Sequence, residues 1–217
     1  MNILQSILFA TAFQSIILVI YRLKVSIFNK SIANKVLFIE KNNILSIKIA
    51  FNRVYMKKLT LTRHAKSSWE HNVIDHERPL NDRGSSDAVL LANEFKNSFI
   101  QPDLLISSDA NRAKTTANIF IETLNISSKI VRYNHSLYDF SGRNLVEVIK
   151  NCDESVNHLW VFGHNHAITY FVNTYGNVYI DNVPTCGIVQ IEFDINDWKN
   201  LKKGKTLMTL FPRNLKD

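Results

Sequence analysis

Cysteine, proline and glycine are scarce in this sequence, and each shortage excludes a class of protein. The two cysteines, Cys152 and Cys186, lie far apart and form no C-x-x-C pair, which rules out a disulfide-stapled secreted scaffold and favours a reducing compartment. Neither has the neighbouring His and Asp that a thiolate nucleophile needs, so both read as buried structural thiols. Six Gly and four Pro in 217 residues are too few for a collagen-like or loop-dominated chain, and comparing segments reveals no internal repeat. There is no H-E-x-x-H, and no Asp/Glu cluster accompanies the histidines at ligand spacing. No metal site and no cofactor is therefore expected, and His71, His76, His135, His158 and His166 read as surface or structural residues.

What is present suits a globular protein, with 46% hydrophobic and 21% charged residues and length for one domain plus an appendage. The net charge of +7 is unevenly placed. Residues 1–55 hold seven of the 26 basic residues and a single acid, Glu40, a local charge of +6 that leaves only +1 for the remainder. The globular part therefore lacks the basic footprint of a nucleic-acid binder, and no nucleic-acid partner is expected.

Residues 3–21 are uncharged, close to the roughly 20 residues that span a bilayer as a helix. Gln5, Ser6, Thr11, Gln14 and Ser15 dilute the apolar run, and no Lys or Arg precedes it as in a secretory signal. Two readings stand side by side. Residues 1–55 are a membrane-anchoring extension with the basic residues, and hence the following domain, on the cytoplasmic side, or they are a misassigned upstream start. Met56-Lys57-Lys58, immediately before the first strand, has the look of a bacterial N-terminus. Both readings place the domain of residues 56–217 in the cytoplasm, with a membrane partner only if residues 3–21 are a true anchor.

Within that domain, alternating or apolar runs predict strands at Lys58–Arg63, Asp103–Ser108, Lys129–Tyr133, His158–Gly163, Gly187–Phe193 and Lys205–Phe211. Helical spacing of apolar residues predicts helices over Asp82–Asn97, with Asn81 as N-cap, from near Asp109 through Leu124, around Leu145–Ile149, and over Ala167–Tyr175. Alternating strands and helices indicate a three-layer α/β/α sandwich around a mostly parallel sheet of about six strands. Trp69, Trp160 and Trp198 read as packing residues, Trp69 with a rim position as its alternative.

In open parallel sheets ligands gather outside the carboxyl ends of the strands. Three strand ends carry polar or ionisable residues: Arg63-His64, Ser107-Ser108 with Arg112 following, and Gly163-His164. Two Arg and two His around one crevice make a cationic cup of planar, multi-donor groups, the chemistry that a phosphoryl group with three anionic oxygens requires. A helix starting near Asp109 would add its positive N-terminal end.

These segments resemble the histidine phosphatase superfamily, the phosphoglycerate mutase-like fold family, and within it the SixA phosphohistidine phosphatases. The carrying residues are Leu61-Thr62-Arg63-His64-Ala65-Lys66-Ser67-Ser68-Trp69, Asp75-His76-Glu77-Arg78-Pro79-Leu80-Asn81-Asp82-Arg83-Gly84, Ser107-Ser108-Asp109-Ala110-Asn111-Arg112-Ala113-Lys114-Thr115-Thr116-Ala117 and Val161-Phe162-Gly163-His164-Asn165. The resemblance runs from Met56 to about Phe211 and includes Val183-Pro184-Thr185. It implies that His64 is a nucleophile that attacks phosphorus and carries the phosphoryl group, while Arg63, Arg112 and His164 bind the non-bridging oxygens. A hydrogen bond to the other ring nitrogen of His64 should fix its tautomer, and the sequence does not name the partner.

Ala65 stands where many members of the superfamily have Gly, a change the SixA-like group shares. No glutamate matches the general acid of the mutase-like members; Asp139 and Asp75 are the nearest candidates, and each also reads as a loop-capping carboxylate. Without an acid, a leaving group that departs easily is favoured, and the imidazole of protein phosphohistidine qualifies. The expected partner is thus a phosphorylated protein, with a small phosphomonoester as the alternative substrate and a non-catalytic phosphate-sensing module as the alternative class. If Met56 is the start, mass spectrometry of the natively expressed protein will find no peptide from Ile3 to Arg53; finding such peptides would leave the extension as the correct reading.

Overall fold

The computed structural model describes residues 56–70 and 72–215. The expectations for residues 1–55, the apolar stretch 3–21 included, and for His71 lie outside the described residues. Six strands, β1 (Met56–Arg63), β2 (Leu104–Ser107), β3 (Val131–Tyr133), β4 (His158–Gly163), β5 (Ile188–Asp194) and β6 (Lys205–Leu210), form one sheet in the order β3-β2-β4-β1-β5-β6. β1 to β4 pair in parallel, and β5 runs antiparallel to both of its neighbours, β1 and β6. The sheet is mostly parallel, as the alternation of strands and helices implied.

Four helices cover it: α1 (Asp82–Phe95), α2 (Asn111–Thr123), α3 (Arg143–Lys150) and α4 (Ala167–Tyr175). The period-2 geometry of a strand sends alternate side chains to opposite faces, and β4 is buried along its whole length. Leu159 and Val161 join a core with Leu145, Ile149, Ile168 and Phe171 of α3 and α4, whereas Trp160 and Phe162 join a second core with Leu91, Phe95 and Phe120 of α1 and α2. Two separate cores, one on each face, give the α/β/α layering and explain why β4 reads as an unbroken apolar run.

β1 differs in that its second face is polar. Leu59 and Leu61 enter the α3/α4 core, while Thr60 bonds His158 Nε2 (2.9 Å) and receives a bond from Gln190 Nε2 (3.1 Å), and Thr62 accepts from the Trp160 indole N–H at 2.9 Å. Each buried hydroxyl thus has a hydrogen-bond partner, which is the condition for placing Thr in a core. At the amino end of the strand the buried Lys57 ammonium donates to Val156 O (3.0 Å), to Asn157 Oδ1 (2.9 Å) and to the carbonyl of Glu154.

The strand expected from Lys129 begins at Val131, because Ser128–Ile130 closes into a 3-10 turn that Ser127 caps. The first helix ends at Phe95 and tightens into a 3-10 turn over Lys96–Ser98. Its start is as expected: the Asn81 side chain accepts from the Gly84 N–H at 2.8 Å. That first turn is docked on the segment following β1. Asn81 N–H donates to Lys66 O (3.0 Å), Ser68 N–H to Pro79 O (2.9 Å), and Gly84 lies so close that an added Cβ would sit 2.0 Å from Lys66 O.

The Gly84 approach yields a stability prediction. Helix propensity alone favours Gly84→Ala by about 1 kcal/mol, but the clash is with backbone that cannot rotate away, and overpacking costs roughly 1–3 kcal/mol or more. Gly84→Ala should therefore lower the urea midpoint with the m-value unchanged. A higher midpoint would mean that the Lys66 segment yields freely.

Candidate active site

The site is assembled by the carboxyl ends of β1, β2 and β4. Parallel pairing sets Arg63 of β1 opposite Gly163 of β4, so the next residues, His64 and His164, leave the sheet side by side with ring centroids 5.0 Å apart. His64 is pinned through its backbone: its N–H donates to Gly163 O (2.9 Å), and its carbonyl accepts from Cys186 N–H (3.1 Å). The next residue is fastened to α2, since Ala65 N–H donates to Thr116 Oγ1 at 3.0 Å.

His64 Nδ1 lies 2.7 Å from the carbonyl of Ala65. A carbonyl can only accept, so Nδ1 carries the hydrogen and Nε2 keeps a free lone pair. Burial, opposed by that hydrogen bond and reinforced by the charges of Arg112, Arg63 and Arg78, pushes the His64 pKa down to about 3. The ring is therefore neutral at physiological pH.

His164 is completely buried, and its Nε2 sits 2.9 Å from Ser108 Oγ. The same hydroxyl oxygen accepts from Ala110 N–H (3.3 Å); when the hydroxyl gives its own proton to Nε2, Nδ1 of His164 holds the ring's hydrogen. That Nδ1 has no hydrogen-bond partner among the described residues, and neither has the buried Nε of Arg63. Burial first, then the neighbouring His64 and Arg112, pushes the His164 pKa down to about 2.

Arg63 is aimed by the Val183 segment, donating from Nη1 to Val183 O (2.7 Å) and Asn182 Oδ1 (3.4 Å). Arg112, on the first turn of α2, is buried and donates to the backbone carbonyl of Asp75 and to its Oδ2 at 2.9 Å. Asp75 also takes Arg78 Nη1 at 2.9 Å and the Tyr138 hydroxyl. Burial would raise the Asp75 pKa, but the hydrogen bonds from Tyr138, Arg78 and Arg112 outweigh it and hold the carboxyl well below the usual range. Asp139 lies apart from this network. Its carboxylate accepts from Leu145 N–H (3.1 Å) and from Ser141 N–H and Oγ (both 2.8 Å), capping the start of α3.

Arg78 carries no role in the sequence analysis, yet it is buried beside the cup. Its donors reach Ser68 O (2.9 Å), Ser67 Oγ (2.7 Å) and Asp75, and its guanidinium stacks 3.1 Å from the Trp69 ring centroid. The only signal for it was its place in the Asp75–Gly84 segment, because a lone Arg in a polar loop has no periodicity to betray it. Trp69 corrects the packing expectation: it is exposed, held by Arg78, whereas Trp160 and Trp198 are fully buried. Both cysteines are free and buried, as expected, and burial raises both thiol pKa values.

A second finding concerns the rim. α2 starts at Asn111 rather than near Asp109, with no side-chain cap. The Asp109 carboxylate instead meets His76 Nε2 and His135 Nδ1, each at 2.9 Å. The fold thus joins two histidines that sequence spacing had left unrelated.

Residues 59–133 match the family model of the histidine phosphatase superfamily, branch 1. Among curated relatives, an uncharacterized protein of Mycobacterium tuberculosis is 32% identical over 103 residues, 47% of this chain and 61% of that protein. A chloroplastic protein of Arabidopsis thaliana is 41% identical over 61 residues, 28% of each chain. The chain thus spans between 28% and 61% of the length of these curated relatives. The resemblance read from the motifs is borne out, since residues 59–133 carry the superfamily's pattern.

Solved structures agree on the fold. The fold is that of SixA proteins: the protein histidine phosphatase SixA in complex with tungstate superposes with a TM-score of 0.60 at 21% identity, covering 73% of this chain and 99% of that one. A protein described as a SixA phosphohistidine phosphatase from Nakamurella multipartitia gives 0.59 at 19% identity, covering 72% and 96%. Among the described residues no helix is long and apolar enough to cross a membrane.

The buried histidines predict how stability depends on pH. Burial, with Lys58 adding, lowers His158 to about 4, so three rings (His64, His158 and His164) stay neutral in the folded state below the ordinary value near 6.5. The unfolded chain takes up protons there and the folded one does not, so stability falls as pH drops from about 6.5 towards 4, by up to ~4 kcal/mol per pH unit for three protons. His76, raised by its bonds to Asp109 and then Glu77, acts with the opposite sign and only above that window. Urea titrations from pH 7 to 4.5 should show the slope, reduced by about a third in His158→Asn; flat stability across this range would contradict the histidine environments.

Proposed function

We propose that the domain is a phosphatase that passes the phosphoryl group through His64. The observation that carries this reading is the pair of buried, partnerless nitrogens beside the His64 ring, Arg63 Nε and His164 Nδ1, the second a donor when Ser108 Oγ gives its proton to Nε2. A buried donor left unpaired costs roughly 1–3 kcal/mol, and an anion seated between them and Arg112 would satisfy both. The Nδ1–H to Ala65 bond supports the role of His64, because it leaves Nε2 free and neutral for attack.

In the first step the Nε2 lone pair forms a bond to phosphorus while the bond from phosphorus to the leaving atom breaks and its electron pair departs with the leaving group. Water then attacks the phosphohistidine, releasing inorganic phosphate and restoring the ring. Arg63, Arg112 and His164 hold the non-bridging oxygens, so that positioning and electrostatics contribute most of the acceleration. Asp75 orients Arg112 and Arg78 as a carboxylate and so has no proton to give, and Asp139 is consumed as a helix cap. A leaving group that needs little protonation fits such a site, which supports phosphohistidine on a partner protein as the substrate. The tungstate-bound neighbour in fold, a protein histidine phosphatase, points the same way.

The test is a panel of phosphohistidine proteins and small phosphomonoesters, assayed with chelator present. His64→Ala should lose at least about 10³-fold in kcat, and Arg112→Ala about 10²–10³-fold. Acid-quenched wild-type protein should carry an acid-labile, base-stable phosphoryl group that His64→Ala lacks. Retained activity in His64→Ala would end the mechanism, and turnover of monoesters alone would replace the substrate.

A further inference from the structure

Three segments that are distant in sequence converge on the rim of the crevice: the 3-10 turn Asp75–Glu77, the turn between β2 and α2 that holds Asp109, and the 3-10 turn His135–Leu137 after β3. They bring together His76, Asp109 and His135, whose ligand atoms all lie within 4.8 Å of one another. His76 Nε2 is 2.9 Å from Asp109 Oδ1, and His135 Nδ1 is 2.9 Å from Oδ2 and 3.2 Å from Oδ1 of the same carboxylate.

The decisive feature is on the far side of His76. Its Nδ1 faces Glu77 Oε1 at 2.9 Å, so both ring nitrogens look at carboxylate oxygens, which only accept. A neutral imidazole has one N–H and can satisfy one of them. A positive charge is required at the other; a second ring proton supplies it in the empty site, and a cation between Nε2 and Asp109 supplies it in place of that proton while Nδ1–H remains bonded to Glu77. Histidines that ligate metals almost always donate their other N–H to such an outer carboxylate, which fixes the tautomer and raises ligand basicity.

We propose that His76 Nε2, Asp109 and His135 Nδ1 bind one divalent cation of the Zn²⁺ class, with the remaining coordination positions open to solvent. Two imidazoles and a carboxylate suit a borderline ion such as Zn²⁺ over Mg²⁺ or Ca²⁺, which prefer all-oxygen shells. Tetrahedral ligands at the usual bond lengths stand roughly 3.3 Å apart, close to the two His–Asp separations here. His135 makes the adjustment at little cost, since its side chain is 75% exposed.

The site is separate from the proposed phosphoryl cup. The Tyr138 ring stands between them, 5.1 Å from the His76 centroid and 5.3 Å from that of His164. An ion there would tie the three rim segments together and would not touch His64. The inference holds whether or not the domain proves to be a phosphatase.

The experiment uses the full chain stripped of metal, titrated with Co²⁺ as a spectroscopic probe and then challenged with Zn²⁺. The expected result is one equivalent of Co²⁺ with intense visible bands of low coordination number, bleached by one equivalent of Zn²⁺. His135→Ala and Asp109→Asn should abolish the bands, His166→Ala should leave them intact, and Glu77→Gln should weaken binding about tenfold by loosening His76. No band in the wild-type protein, or a band that survives both His135→Ala and Asp109→Asn, would overturn the proposal. The readout is absorption, so neither result depends on catalysis.

Discussion

The parallel register of β1 on β4 is the constraint from which the rest follows. With Arg63 opposite Gly163, the residues that follow both strands emerge at the same height, and two imidazoles meet over one crevice. Side chains alternate along a strand, so a slip of one residue would turn Leu59 and Leu61 away from their core and Thr60 and Thr62 away from their partners. The hydroxyl bonds from Thr60 to His158 and from Trp160 to Thr62 therefore help fix the register as well as the core.

Around that pair, arginines are placed by neighbours at different sequence distances. The carbonyl of Val183 positions Arg63, and Asp75 positions both Arg112 and Arg78. A single carboxylate between two guanidiniums lowers their mutual repulsion and restricts their rotamers, so less conformational freedom would be lost on binding the proposed phosphoryl group. The cup is thus largely built in advance by groups outside it.

Much of this was legible in the sequence, and the limits have physical reasons. β4 could be read because a strand buried on both faces is apolar throughout, and α1 because Asn81 and the Ala88, Leu91, Ala92, Phe95 spacing mark its start and its face. The strand ends at Arg63-His64 and Gly163-His164 followed from the rule that places ligands there. What stayed hidden arises from chain folding rather than local pattern: Ala65 O as the partner of His64, Asp75 as the shared anchor, Arg78 beside the cup, and the meeting of His76 with His135. In each case irregular backbone carries at least one partner, where no periodicity constrains which way a side chain points.

The stacking of Arg78 on Trp69 has an optical consequence. Two of the three tryptophans, Trp160 and Trp198, are sealed in the cores and should emit at short wavelength, whereas Trp69 lies open to water beneath a guanidinium that touches the Asp75 hub. Red-edge excitation would select its emission from that of the other two. The molecule thereby carries its own fluorophore at the mouth of the crevice, where a change in the state of the arginines can be followed without any label.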